Sequence, residues 1–144
     1  MKIAPATSAH VAALARIRGD WARETPWIPV LHSRDDDLKF VTHLAEKVQV
    51  FVTDPAPPTG FISVDNDAVP ALYVAPGARS QGIGTALLDR ARDGRDHLRL
   101  WCFQTNPGAR CFYAREGFTE IDRTDGDNEE GLPDVQFAWE RGRA

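Results

Sequence analysis

The run Ala75–Leu88, APGARSQGIGTALL, constrains this chain more than any other stretch. Gly82 and Gly84 stand one residue apart at the start of a segment in which Ile83, Ala86, Leu87 and Ala91 recur at helical spacing. Each glycine in a helix costs about 1 kcal/mol relative to alanine. An apolar run, ALYV at 71–74, precedes the turn and reads as a strand. A helix that starts where a strand ends presents free N–H groups and a partial positive charge, and so forms an anion site. Glycines there let an anion touch the amides without meeting a Cβ, and Arg79 can add a charge-assisted contact. ARSQGIGT therefore reads as a pyrophosphate cradle. It lacks GK[ST], which excludes a Walker-type loop. It also lacks the third glycine of the dinucleotide fingerprint and an acidic residue about twenty positions on. The plain alternative is a left-handed glycine turn with no ligand.

The remaining pattern gives a mixed α/β (α+β) chain. Residues 2–6 read as a short strand, and Ser8 as the cap of a helix carrying His10, Leu14, Ile17 and Trp21. The proline-bordered segment 25–33 is a loop. Ser33 then caps a second helix whose first turn holds three aspartates, where the dipole favours them; Leu38, Val41, Leu44, Ala45 and Val48 form its apolar stripe. Strands follow over 48–53, 61–64 and 68–74, with turns at 54–60 and 65–67. Pro70 argues that the third of these begins near it or is bulged there. A helix over 80–93, a strand over 98–104 and a helix over 106–117 come next. Asn106 serves as the cap of the last, Pro107 as its first residue and Gly117 as its stop. Strands 118–121 and 135–139, joined by a long acidic loop, close the chain. The expectation is one domain over residues 1–144, with about six to seven strands in a mixed sheet and about four helices.

Composition narrows the function. A net charge of −4 argues against a broad nucleic-acid surface and suits a neutral or cationic substrate. Two cysteines, Cys102 and Cys111, lie in apolar segments and read as free buried thiols in a reducing cytoplasm, and no His/Cys spacing suggests a metal. No signal peptide or membrane span is legible, so the expected location is cytoplasmic.

The spacing Arg79-x-x-Gly82-x-Gly84 resembles the R/Q-x-x-G-x-G/A signature of the GNAT N-acetyltransferase superfamily. Asn106-x-x-Ala109-x-x-Phe112-Tyr113-x-x-x-Gly117-Phe118 is similar to that family's second signature, at the matching interval. The resemblance implies a sheet splayed between its fourth and fifth strands and acetyl-CoA as co-substrate. It places the pyrophosphate on residues 80–85 and the pantetheine arm between 71–75 and 98–104, bound by the main chain of Tyr73 and Val74. It implies direct transfer to an amine acceptor and a homodimer on the family's base rate. Spacing, hydropathy and charge give the expectation of no metal, membrane or nucleic-acid partner, with tRNA or ribosomal-protein modification disfavoured by the acidic balance and left open.

Asn106, Ala109 and Tyr113 share one helical face, and Phe112 is rotated off it toward the core. The resemblance assigns Asn106 to hydrogen-bond the arm, Ala109 to stay small beside it, and Tyr113 to protonate the departing thiolate. A phenol titrates near ~10 and a thiol near ~8.5, so full transfer is uphill by about 2 kcal/mol. No carboxylate lies on strand 68–74 to serve as base; Asp65 and Asp67 read as turn residues. His32, Trp27, Trp101, Gln104 and Glu129 are candidates for the acceptor side. Each also has a plainer reading as core, surface or solvated-loop residue. The alternative to an enzyme is a non-catalytic acyl-CoA-binding or sensing module on the same fold.

Overall fold

The computed structural model describes residues 2–142. Seven strands form one sheet: β1 (Lys2–Pro5), β2 (Gln49–Asp54), β3 (Gly60–Asp65), β4 (Ala68–Val74), β5 (His97–Phe103), β6 (Thr119–Thr124) and β7 (Asp134–Glu140), in the order β1-β2-β3-β4-β5-β7-β6. Four helices pack on it: α1 (Val11–Glu24), α2 (Arg34–Lys47), α3 (Ile83–Arg92) and α4 (Pro107–Arg115). Every neighbouring pair is antiparallel except β4 and β5.

That parallel pair is joined at a single position, Ala68 opposite Arg99, where the Arg99 amide donates to the Asp67 carbonyl at 2.7 Å. The reason lies in β4. Between Ser63↔Ala71 and Asp65↔Ala68 the register slips, so Val69 and Pro70 together oppose Val64. The strand bulges at its proline, as its sequence requires. A bulge bends and twists its strand, and Pro70 supplies no N–H to any ladder. Beyond the bulge β4 leaves β5, and a cleft opens between them.

The sheet divides the apolar core. One side holds Leu87, Leu88 and Ala91 of α3, Leu98 and Leu100 of β5, and Tyr113 of α4. The other holds Leu14 and Ile17 of α1 and Val41 and Leu44 of α2, against Val52, Phe61 and Ala71.

Three local expectations change. Thr7 stands at the first cap, ahead of a short 3-10 turn at Ser8–His10. Its amide donates to His10 Nδ1 at 2.9 Å, so the imidazole satisfies an otherwise orphaned donor and Ser8 is not needed there. On α2, Leu38 and Ala45 are exposed, and the inward stripe is Asp37, Val41 and Leu44. Strand β6 runs to Thr124 because a bulge at Ile121 interrupts its alternation.

Asp37 is the least expected core residue. Its carboxylate is 4% exposed and accepts from Arg18 Nη1 at 2.6 Å and Arg23 Nη1 at 3.3 Å. Gly19 makes the space: a Cβ there would meet Asp37 Oδ2 at 2.3 Å. A mid-helix glycine and a buried acid thus explain each other. Removing one partner of such a group strands the other charges, at about 3–5 kcal/mol when fully buried. Arg18 and Arg23 keep 18% and 30% side-chain exposure, which lowers the expected cost. We expect Asp37→Asn to lower the unfolding free energy by about 2–3 kcal/mol in urea titrations. A loss within experimental error would remove the cluster from the list of fold determinants.

Candidate active site

One cleft of about 1110 Å³ runs through the gap between β4 and β5, from the α3 N-terminus to the loop that joins α1 to α2. Its floor follows from strand pairing. The Ala75 amide donates to Thr59 of the β3 side, so Tyr73, two residues back, also directs its main chain at β3. A Cβ on Gly60 would meet the Tyr73 carbonyl at 3.0 Å, which fits that direction. Leu72 and Val74 therefore turn their main-chain groups into the gap, where Val74 O accepts from Arg79 Nε at 3.3 Å. Of the two residues expected to offer main-chain groups, Val74 faces the cleft and Tyr73 contributes its side chain.

At one end, Ser80 and Gly82 both adopt left-handed backbone, with φ of 62° and 78°. Gly82 occupies the N-cap of α3, and no side chain caps the helix. The first intrahelical bond runs from Ala86 N to Gly82 O at 3.0 Å, so the amides of Ile83, Gly84 and Thr85 precede the ladder and stay free. Left-handed residues flanking such amides make an anion-binding concavity. The side chains do something else. Ile83 is buried in the core. Thr85 Oγ1 donates to Glu116, which Arg92 also holds at 2.9 Å. Gln81 Nε2 reaches back to Gly77 O at 3.4 Å, away from the cleft.

The two glycines serve different needs. A Cβ on Gly82 would meet nothing within 4 Å, so its backbone angle is what demands glycine. A Cβ on Gly84 would meet the Phe112 ring at 2.9 Å. Gly84 is therefore small for the sake of α4 packing rather than for a ligand. Phe112, expected in the core, is the residue that fills this contact and is only partly buried.

At the middle of the cleft, Asn106 caps α4 by accepting from Ala109 N at 3.1 Å. Asn106, Ala109 and Tyr113 all line the cleft. Tyr113 is 8% exposed and packs between Phe112, Phe118 and Phe137. Burial pushes its phenol well above the ordinary tyrosine range. Its hydroxyl meets no protein partner among the described residues. It is a protonated donor facing open space. Cys102 is likewise pushed up by burial, to about 11, so its thiol stays protonated near neutrality. Cys111, expected to be buried, is exposed on α4 because Phe112 and Tyr113 take the inward positions beside it.

At the far end the walls are aromatic. Trp21 packs edge-on against Trp27 at 6.2 Å and Tyr73 at 5.7 Å, and Trp27 meets Phe103 at 5.6 Å. Burial also raises the Tyr73 phenol, opposed by nearby Arg18. Trp101, 45% exposed, and His32 line the cleft as well. The His32 Nε2 lies 2.8 Å from Glu129 Oε1, close for an ion pair though off hydrogen-bond geometry. Glu129 itself does not line the cleft; its neighbour Glu130 does. Gln104 is spent elsewhere, donating to the Thr124 and Asp134 carbonyls and so stapling β5 to the β6–β7 hairpin. Sequence reasoning missed the cleft positions of Arg18 and Asp37. The aspartate stands among three that suit a helix N-terminus, and nothing local marks which one turns inward.

The gap between the two parallel strands thus runs from a bare helix N-terminus past a buried phenol. The chain belongs to the acetyltransferase (GNAT) domain family, whose model matches residues 44–120. It is 36% identical over 81 residues to the peptidyl-lysine N-acetyltransferase YiaC of Escherichia coli, covering 56% of this chain and 55% of that protein. It is 33% identical over 79 residues to the peptidyl-lysine N-acetyltransferase YjaB of Salmonella typhimurium, covering 55% and 54%. The chain thus spans about half the length of the curated relatives it matches. Among solved structures, it superposes on apo YjaB from Escherichia coli with a TM-score of 0.77, at 21% identity over 99% of this chain and 98% of that one. It superposes on Salmonella typhimurium yncA with its cofactor acetyl-CoA at a TM-score of 0.76, at 19% identity over 100% and 95%. These likenesses support the fold. Among the described residues, no helix is long and apolar enough to cross a membrane, and no group of His, Cys, Asp or Glu is placed to hold a metal ion.

The glycine assignments are separable. We expect Gly84→Ala to destabilise the fold by about 1–3 kcal/mol through overpacking, and Phe112→Leu in the same chain to recover part of that loss. Gly82→Ala should leave packing intact but cost about 1 kcal/mol for its left-handed backbone and weaken anion binding. A double-mutant cycle read by urea melts decides between them; strict additivity of Gly84→Ala and Phe112→Leu would break the packing argument.

Proposed function

We propose that this chain is an acetyl-CoA-dependent N-acetyltransferase acting on a primary amine of a small molecule or a protein. The observation that carries this reading is the orphan phenol of Tyr113, set in the wall of a cleft whose other end is a bare helix N-terminus. The cleft fits the donor on its own terms. The uncapped amides of residues 83–85, with the turn at 80–82 and Arg79, suit a diphosphate. The main chain of Leu72 and the Val74 amide, turned into the gap, suit an amide-bearing arm that pairs as an added strand, with Val74 O now taken by Arg79. Asn106 and the small Ala109 lie along the same path.

Acetyl-CoA supplies an activated acyl group and a thiol leaving group. The residues do the rest. Val74 N–H can donate to the oxygen that gains charge as the amine adds, which is the usual use of a preorganised amide. Tyr113 donates its O–H to the sulfur as negative charge develops there. Burial raises the phenol, which widens the gap of about 2 kcal/mol against full proton transfer. Its service is therefore a strong hydrogen bond to the nascent thiolate, held ready over the whole neutral range. No carboxylate on β4 faces the amine, so its proton leaves by way of the acceptor end of the cleft.

Two outcomes test this. Tyr113→Phe should lower kcat about a hundredfold with little change in acetyl-CoA affinity. Unchanged turnover at saturating acetyl-CoA would remove the acid role. In the intact enzyme, the raised phenol stays protonated as pH climbs, so kcat should show no alkaline fall from this group below about pH 10. Calorimetry with CoA and a screen for thioester consumption across an amine panel test the wider reading. Binding without consumption would leave a CoA-binding module.

A further inference from the structure

The two ends of the cleft differ in charge. Around the α3 N-terminus the ionisable side chains in the wall are Arg79 and Arg115. At the aromatic end, Arg18 and Arg23 share the one Asp37 carboxylate, which offsets one of their two charges. Arg18 also stacks over the Phe40 ring at 3.9 Å. What remains is Glu130, half-buried in the wall, with no ion pair or hydrogen bond among the described residues. Glu24 lines the same end but is exposed at the rim.

The loop that carries Glu130 is braced. Asn128 braces the β6–β7 loop, donating from Nδ2 to Leu132 O at 2.7 Å and to Asp134 Oδ2 at 3.2 Å, while Leu132 N donates back to its Oδ1. Glu129 is drawn out to His32 of the α1–α2 loop. The next carboxylate along is the one left in the cleft. A carboxylate partly removed from water and unpaired carries a desolvation cost that a ligand cation would relieve. Tyr73 lies within electrostatic reach of Glu130, and it is continuous with Trp21, Trp27 and Phe103, packed edge to face along the same cleft. Electron-rich rings next to a carboxylate recognise alkylammonium ions, by cation–π attraction and charge together.

We infer that Glu130, with the Trp21–Trp27–Tyr73–Phe103 wall, receives the acceptor as an alkylammonium ion, which makes it the residue that selects cationic aliphatic amines over neutral ones. This rests on the acetyltransferase reading for the word acceptor, but the binding itself is measurable without any turnover. The probe is hexane-1,6-diamine, with hexane-1,6-diol as its uncharged counterpart, titrated into the full chain with and without CoA and followed by tryptophan fluorescence.

The diamine should give a saturable change that weakens at high salt, and the diol should give none at the same concentrations. Glu130→Gln should weaken diamine binding at least about tenfold, Glu129→Gln should stay within about twofold, and both should bind CoA as the parent does. Equal responses to diamine and diol, or wild-type diamine affinity in Glu130→Gln, would overturn the assignment. Should Glu130→Gln fail to fold, the diamine–diol comparison at low and high salt decides alone. Loss of CoA binding by calorimetry would instead strike the acetyltransferase reading and leave the diamine result standing.

Discussion

The structure depends on a separation. Strands β4 and β5 touch at Ala68 and Arg99 and then part, because β4 carries an extra residue at Val69–Pro70. Two parallel strands that stayed paired would consume the main-chain groups of Leu72 and Val74 and seal the middle of the sheet. The bulge forbids that. It turns a sheet interior into a cleft lined by backbone donors and acceptors, and every functional residue is placed relative to this gap.

The cleft is also a divide between two chemistries that the fold keeps apart. On one side stand the free amides at the start of α3, with Arg79 before it and Arg115 of α4. On the other, Trp21 of α1, Trp27 of the following loop, Tyr73 of β4 and Phe103 of β5 form an aromatic wall, near the buried Asp37 with its two arginines. That cluster is costly to bury, and Gly19 concedes helix propensity to admit it. In return it fixes the orientation of α1 against α2, and so of Trp21 and the loop bearing Trp27 and His32. By tying Arg18 and Arg23 to Asp37 it offsets one of their two charges and leaves Glu130 as the half-buried carboxylate in the wall without an ion pair among the described residues.

Much of this was legible from residue order. The strand–turn–helix reading around Gly82 placed a bare helix N-terminus there, because helix termini always leave amides unpaired. Pro70 announced the bulge because proline cannot serve a ladder. The axial spacing of Asn106, Ala109 and Tyr113 put them on one face, and all three line the cleft. The reason for Gly84 was misjudged, since a Phe112 ring twenty-eight residues away leaves no trace in local spacing. Gln104 looked like a site residue by its polarity at a strand end, yet the neighbouring hairpin claims both of its donor bonds.

What the sequence determines here is local and periodic: which segments are strands or helices, where their ends lie, and which end must be bare. These follow from hydrogen-bonding rules and backbone sterics acting over a few residues. What only the tertiary structure decides is selection among equivalent side chains. Asp35, Asp36 and Asp37 are alike in sequence, as are Glu129 and Glu130. One of each group is buried or turned into the cleft because of partners brought from distant elements: Arg18 and Arg23 for Asp37, and His32 for Glu129, which leaves Glu130 free. Charge pairing across the fold, absent from any single stretch of chain, makes that choice.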